Sequence, residues 1–125
     1  MSSLVLVVED DQRSRKLACD VARSMELEVI AAESAEEGLS MIEERLPDII
    51  LMDIRLPGMS GQDAFRLLNA DSRTCKIPVI AVTASTLPIQ KNELLSQGFF
   101  DFIAKPYRFI DLLTAIEQAL DSKSE

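Results

Sequence analysis

The stretch IILMDIRLPGMSG, residues 49–61, runs from an apolar segment into a polar turn. Asp53 follows four apolar residues, and Pro57 and Gly58 then interrupt regular structure. A short continuous apolar run is typical of a strand that is covered on both faces of a parallel sheet. A carboxylate at the end of such a strand is costly to bury without a partner, so its role depends on how the other strands end.

The length and composition of the chain predict one globular domain. Its 125 residues are enough to bury a full core, and 47% of them are hydrophobic. No apolar run approaches the ~18–20 residues needed to cross a bilayer. The start, MSSLVLVVEDD, lacks a basic leader and is predicted to be a strand rather than a signal peptide.

Charge and cysteine content narrow the expected partners and compartment. The net charge of −8 opposes binding to nucleic-acid phosphates and anionic lipid, so we expect no direct nucleic-acid or membrane binding. Cys19 and Cys75 have no motif spacing, which favours reduced thiols in a cytoplasmic protein. Because the chain has no histidine and no closely spaced cysteine pair, zinc binding is not expected.

Apolar runs alternate with helical spacings along the chain. Runs rich in Val and Ile predict five strands, at Leu4–Val8, Val29–Ala32, Ile49–Met52, Val79–Val82 and Phe100–Ala104. The last helix is predicted to carry an apolar face made of Phe109, Leu112, Leu113, Ile116 and Leu120.

Capping signals mark the ends of the predicted helices. Ser34 and Glu37 form a capping box, and Ser60 is placed to begin the third helix. Pro88 fits the first turn of the fourth helix, which Gly98 would end. Five strands alternating with five helices predict an α/β domain whose parallel sheet is covered on both faces.

Polar residues stand at the carboxyl ends of four predicted strands. They are Glu9, Asp10 and Asp11 after the first, Asp53 after the third, Thr83 after the fourth and Lys105 after the fifth. In an open parallel sheet these ends share one edge, where ligands bind. We therefore expect these side chains to converge there.

Carboxylates that converge as predicted would need a cation to offset their repulsion. Each close pair repels by ~4 kcal/mol at about 4 Å and an effective dielectric of about 20. Oxygen ligands without His or Cys select a hard ion, Mg²⁺ or Mn²⁺. Lys105 and Thr83 would then suit a phosphoryl group that arrives beside the metal.

Each residue also has a simpler interpretation. The three acids after the first strand could cap a helix, and Asp53 could cap the turn that follows it. Lys105 and Thr83 could be ordinary strand-end residues. The presence of all four residue types at separate strand ends on one edge favours the functional interpretation.

Four motifs together resemble the response-regulator receiver domains of two-component phosphorelay signalling. VLVVEDD, PDIILMDIRLPGMSG, IPVIAVTAS and FDFIAKPY occur in that family's order and spacing, and the resemblance runs from Leu4 to about Leu120. It implies a flavodoxin-like, doubly wound sheet of strand order 2-1-3-4-5. It also implies a single receiver domain over residues 1–125, with a core at about 4–120 and no output domain.

The resemblance implies roles for the acidic residues. Asp53 would accept the phosphoryl group as an acyl phosphate. Asp10 would bind Mg²⁺ directly, Glu9 mostly through water, and Arg55 through its backbone carbonyl. The long side chain of Arg55 near the acceptor leaves its effect on hydrolysis open.

The resemblance also implies roles for residues of the last two strands. Thr83 and Lys105 would hold phosphoryl oxygens, and the Lys105–Pro106 peptide would be cis. Thr83 and Phe102 would form a switch, with Phe where many members have Tyr. Phe99 departs from the small residue that usually follows the glycine.

The expected output surface is the face of helix four, strand five and helix five. Five of the six aromatic residues lie between Phe99 and Phe109. Phe100 and Phe109 are interpreted as core or edge-strand packing, whereas Phe102 is assigned to the switch. A downstream protein is expected to bind this face.

The function predicted from the sequence is a phosphorylatable signalling switch that receives its phosphoryl group from a sensor histidine kinase or a histidine phosphotransfer protein. It would catalyse only its own phosphorylation and dephosphorylation, and is not otherwise an enzyme. A haloacid-dehalogenase-type phosphatase would need an acid where Arg55 stands, and FMN binding would be opposed by the charges of EDDQRSR.

Two variants of this prediction stay open. The chain could be a natural single-domain regulator, which Met1 directly before the first strand favours, or the receiver part of a longer regulator or hybrid kinase. A degenerate receiver that acts by binding alone is opposed by the intact Asp53, Thr83 and Lys105.

Overall fold

The computed structural model describes residues 3–84 and 88–123, with the side chains of 88–90 and 123 left aside. Its strands are β1 (Leu4–Val8), β2 (Glu28–Ala32), β3 (Ile49–Asp53), β4 (Val79–Thr83) and β5 (Asp101–Ala104). Its helices are α1 (Gln12–Ser24), α2 (Ala35–Glu44), α3 (Gly61–Ala70), α4 (Pro88–Gln97) and α5 (Phe109–Lys123). Within these ranges, no helix is long and apolar enough to span a bilayer.

The strands form one parallel sheet in the order β2-β1-β3-β4-β5, as predicted. The predicted strand bounds are right to within one residue. Asp53 and Thr83 are the last residues of β3 and β4 and not the first residues beyond them. In the register of the sheet, Asp53 lies beside Val82, and Thr83 lies beside Ala104.

The central strands are continuously apolar because each face of the sheet has its own core. Alternate residues of β1 belong to different cores, with Val5 and Val7 on one side and Leu6 and Val8 on the other. The first core packs against α1 and α5, and the second packs against α2, α3 and α4. A strand in this position exposes neither face to water, so it shows no polar alternation.

Polar side chains cap the N-termini of α1, α2 and α3. Asp11, Ser34 and Ser60 accept hydrogen bonds from backbone amides in the first turns of α1, α2 and α3. Gly98 follows α4 with φ of 115°, a conformation that favours glycine. The predicted caps at Ser34 and Ser60 and the end at Gly98 are confirmed.

The aromatic residues between Phe99 and Phe109 include both core and surface side chains. Phe99 is buried and stacks on Phe65 with ring centres 4.0 Å apart. The interpretation of Phe100 and Phe109 as packed side chains is wrong, because they are 37% and 42% exposed.

The backbone positions explain both exposed rings. The amide of Phe100 donates to the carbonyl of Val79 at 2.9 Å, which joins its backbone to the sheet, while the adjacent Phe99 takes the buried position. Phe109 is the first residue of α5. Helical side chains tilt toward the helix N-terminus, so a side chain at the first position leans past the end of the helix. Phe109 is therefore exposed, whereas Leu112 one turn later is buried.

We predict that Phe99→Ala lowers the free energy of unfolding by about 3 kcal/mol, since it removes a buried ring and its stack. The matched change Phe100→Ala should cost about 1 kcal/mol or less, because that ring already meets solvent. Urea denaturation of both variants measures the difference. Equal losses would contradict the division between core and surface.

Candidate functional site

The ends of β1, β3 and β5 bring three predicted site residues into direct contact. Nζ of Lys105 lies 2.6 Å from Oε1 of Glu9 and 3.0 Å from Oδ2 of Asp53. The two acids are buried, with residue exposures of 4% and 5%, and the lysine side chain is 25% exposed. The Lys105 ammonium therefore forms ion pairs with two buried carboxylates. Charge interactions are stronger at such a shielded position than on the open surface.

Asp10 joins the two buried acids in a group that could hold a metal ion. Carboxylate oxygens of Glu9, Asp10 and Asp53 all lie within 4.8 Å of one another, and Asp10 is exposed. The exposed member gives an ion a route from solvent. An all-oxygen donor set fits a hard divalent cation such as Mg²⁺, which keeps several waters when few carboxylates bind it.

The proton affinity of Glu9 is raised mainly by burial. Burial, and next the hydrogen bond with Asp53, raise the pKa of Glu9 from 4.5 to about 7. Hydrogen bonds from Lys105 and from the Asp11 amide oppose this rise. Burial lowers the pKa of Lys105, but its hydrogen bonds to both carboxylates outweigh burial and the net shift is upward.

The turn after β3 holds the second oxygen of Asp53. The amide of Arg55 donates to Oδ1 of Asp53 at 2.9 Å, and the Arg55 side chain is exposed. The turn then folds back, and the Gly61 amide donates to the Ile54 carbonyl at 3.1 Å. A Cβ at Gly61 would lie 2.1 Å from the Asp53 carbonyl oxygen, so this approach requires glycine.

Thr83 and Lys105 are linked through their backbones. Thr83 is buried, and its carbonyl accepts the Lys105 amide at 2.7 Å. The Lys105–Pro106 peptide bond is cis. The hydrogen bond holds the backbone of Lys105, directly after β5, beside the end of β4, and the Lys105 side chain extends from there to Asp53.

Phe102 lies on β5, away from the carboxylates. It is partly buried against the core that contains α4, and Nζ of Lys91 lies 4.8 Å from the centre of its ring. In the register of the sheet it lies beside Ala81, two residues before Thr83.

The three consecutive acids after β1 have different surroundings. Glu9 and Asp10 join the carboxylate group, whereas Oδ2 of Asp11 accepts the Ser14 amide at 2.9 Å and caps α1. This hydrogen bond lowers the pKa of Asp11. The capping interpretation was therefore right for one of the three acids.

The sequence interpretation missed Arg15, which lies behind this turn. Its guanidinium donates to the carbonyl oxygens of Glu9 and Asp10, at 3.0 and 3.3 Å. A basic residue in the first turns of a helix that follows an acidic turn is the signal that could have indicated it.

An open cleft of about 370 Å³ lies beside Lys105. Ser14 and Leu17 of α1 line one side, and Lys105, Pro106 and Tyr107 line the other. The Tyr107 hydroxyl donates to the Ser14 carbonyl at 3.4 Å, and burial raises its pKa to about 12. The tyrosine is therefore neutral at physiological pH.

Comparison with known proteins assigns the chain to a family. The family model described as the response regulator receiver domain matches residues 5–117. The chain therefore belongs to the response regulator receiver family of two-component signalling. It is 36% identical over 116 residues to the polar-differentiation response regulator DivK of Brucella ovis, covering 90% of this chain and 94% of that protein.

Solved structures agree with this fold. The chemotaxis response regulator CheY4 of Vibrio cholerae matches with a TM-score of 0.89 and 24% identity, over 95% of this chain and 99% of that one. NtrX of Brucella abortus, in complex with ADP, matches with a TM-score of 0.90 and 25% identity. That match covers 99% of this chain and 28% of NtrX, so a similar unit forms part of a longer protein.

The raised pKa of Glu9 predicts a dependence of stability on pH. From about pH 4.5 to 7, folded Glu9 keeps a proton that the unfolded chain has lost, so the free energy of unfolding falls as pH rises. Glu9→Gln should remove this decrease, whereas Glu117→Gln on the exposed face of α5 should retain it. Urea unfolding with chelator present, at about pH 5 and pH 7.5, measures the slope. An unchanged slope in Glu9→Gln would assign it to other groups.

Proposed function

We propose that the chain is a cytoplasmic, Mg²⁺-dependent signalling switch that receives a phosphoryl group on Asp53. The donor would be a sensor histidine kinase or a histidine phosphotransfer protein. The observation that carries this proposal is the contact of Lys105 with both Glu9 and Asp53, beside Asp10. Such a group joins a carboxylate nucleophile to cations that match a phosphoryl group.

In the proposed reaction, a carboxylate oxygen of Asp53 attacks the phosphorus of the donor's phosphohistidine. A P–O bond forms as the P–N bond breaks, and the electron pair leaves with the imidazole, which then takes up a proton. Mg²⁺, held by Asp10, Asp53 and the Arg55 carbonyl with Glu9 acting through water, would supply positive charge at the phosphoryl oxygens. Hydrolysis of the acyl phosphate would end the signal.

The chain's own groups hold the phosphoryl group in this proposal. The ammonium of Lys105, now 3.0 Å from Asp53, would turn to a phosphoryl oxygen. The hydroxyl of Thr83 would donate to another. The Arg55 amide orients the carboxylate through Oδ1. The cleft beside Lys105 gives a protein donor access from the α1 side.

The output face in this proposal is formed by α4, β5 and α5. Leu95 of α4 and Phe109 and Ile110 of α5 are large apolar side chains that are 39–54% exposed. A downstream protein would bury them. Thr83, drawn toward the phosphoryl oxygen, would vacate space into which Phe102 rotates and so change this face.

We predict that acetyl phosphate with Mg²⁺ adds one phosphoryl mass to the wild-type chain, and that Asp53→Asn abolishes this gain. The matched change Asp63→Asn, at an exposed acid of α3, should leave it intact. Excess chelator should stop the reaction, because without Mg²⁺ the carboxylates outnumber the Lys105 ammonium and repel the phosphoryl anion. Intact mass spectrometry measures the product, which hydroxylamine should remove. Wild-type modification of Asp53→Asn would disprove the acceptor assignment.

Coupling through Thr83 predicts a difference in NMR spectra. Beryllofluoride, a phosphoryl mimic, should shift amide signals of residues 88–120 in the wild type and shift them much less in Thr83→Ala. The same substitution at exposed Thr114 should preserve the response. Equal responses in wild type and Thr83→Ala would mean that Thr83 does not link the site to this face.

A further inference from the structure

Arg15 is a largely shielded cation behind the acidic turn. Its side chain is 19% exposed, and one guanidinium nitrogen donates to both the Glu9 and the Asp10 carbonyl. Its other terminal nitrogen lies 3.4 Å from Oε1 of Glu33, in the segment between β2 and α2. The two carbonyls belong to the residues whose side chains form the carboxylate group with Asp53.

These two hydrogen bonds constrain the orientation of Asp10. The Glu9 carbonyl belongs to the peptide unit before the Asp10 Cα, and the Asp10 carbonyl belongs to the unit after it. Holding both units restrains the backbone dihedrals of Asp10 and with them the direction of its Cα–Cβ bond, from which the carboxylate extends. The neighbouring residues are also held, since the Glu9 amide donates to Ala32 and Asp11 caps α1.

We propose that Arg15 is a positioning residue for the metal site. It holds the Asp10 carboxylate where it meets those of Glu9 and Asp53, and so increases the affinity for a divalent cation without contacting the ion. The proposal rests on the proposed function only for the identity of that ion as the Mg²⁺ of phosphoryl transfer.

The contacts favour positioning over a surface ion pair. Glu33 is 68% exposed, and a pair with an acid in that position contributes little. The bonds to the two carbonyls are charge-assisted and come from a shielded side chain. Lysine would keep the charge of Arg15 but not its rigid planar donor group.

If Arg15 is removed, a positioning role and a purely electrostatic role predict opposite changes in Mg²⁺ affinity. A cation near the carboxylates repels Mg²⁺, so the loss of charge alone would strengthen metal binding. The loss of a group that orients a ligand weakens it, typically by 10–100-fold. Arg13 lies in the same turn of α1 with an exposed side chain, so Arg13→Ala measures the effect of charge alone.

Calorimetric titration with Mg²⁺ alone tests the proposal. Arg15→Ala should raise the Mg²⁺ Kd about tenfold, and Arg15→Lys should not restore it. Arg13→Ala and Glu33→Gln should stay within about twofold of wild type. A Kd for Arg15→Ala at or below that of wild type would overturn the proposal, as would full rescue by lysine. If Arg15→Ala does not fold, Arg15→Lys decides by the same criterion.

Phosphorylation kinetics separate this role from direct catalysis. With acetyl phosphate, Arg15→Ala should need more Mg²⁺ for half-maximal rate, yet reach a near-wild-type rate at saturation. A lowered saturating rate with unchanged Mg²⁺ affinity would overturn the proposal. If the wild type bound Mg²⁺ but gained no phosphoryl mass, the proposed function would be wrong. The Mg²⁺ titrations of the Arg15 variants would still decide whether Arg15 positions the metal site. A wild type that bound no Mg²⁺ would overturn both.

Discussion

The crowding of carboxylates at one edge of the sheet is the constraint on which the site depends. When all are ionised, as metal binding would require, three carboxylates and the Lys105 ammonium leave two negative charges, the charge that a divalent cation neutralises. Each close pair of acids costs ~4 kcal/mol at about 4 Å and an effective dielectric of about 20. Burial, and next the hydrogen bond with Asp53, raise the pKa of Glu9 to about 7, so a proton on Glu9 relieves part of this repulsion when no cation is bound.

The strand order determines which residues can meet at this edge. Because β1 and β3 are neighbours at the centre of the sheet, Glu9 and Asp53 end adjacent strands. Lys105 follows β5, and β4 lies between β5 and β3, so about 10 Å of sheet, two strand spacings, must be crossed. A long, flexible cation can span that distance, which accounts for lysine at this position.

The sequence predicted the features that depend on local pattern. Apolar runs located all five strands, and those of β1, β3 and β4 are continuously apolar up to their last residues because these strands are buried on both faces. Ser34 and Ser60 were recognised because capping depends on residues close in sequence. The acids, Thr83 and Lys105 were placed on one edge because parallel strands all end there. The strand order came from the family resemblance and not from the pattern.

The features that the sequence did not predict depend on which way a side chain points. Hydrophobicity alone does not separate Phe99, stacked on Phe65, from Phe100 beside it, because alternation along the chain sets one inside and the other outside. Among three consecutive acids, no local rule assigns one to the cap and two to the site. Arg15 was overlooked because its partners are backbone carbonyls, which every residue has.

In the proposed switch, two opposing contributions act on Phe102. The Lys105 amide donates to the Thr83 carbonyl and ties the ends of β4 and β5 together, so we expect the signal to travel through side chains rather than through a shift between these strands. Lys91 over the Phe102 ring stabilises the present position by about 0.5–1 kcal/mol, and the proposed inward rotation would forfeit that contact. Phenylalanine, unlike tyrosine, has no hydroxyl to keep hydrated, which favours the inward position before phosphorylation. The two contributions oppose each other, so phosphorylation has only to supply a few kcal/mol of preference for the inward position to shift the population decisively.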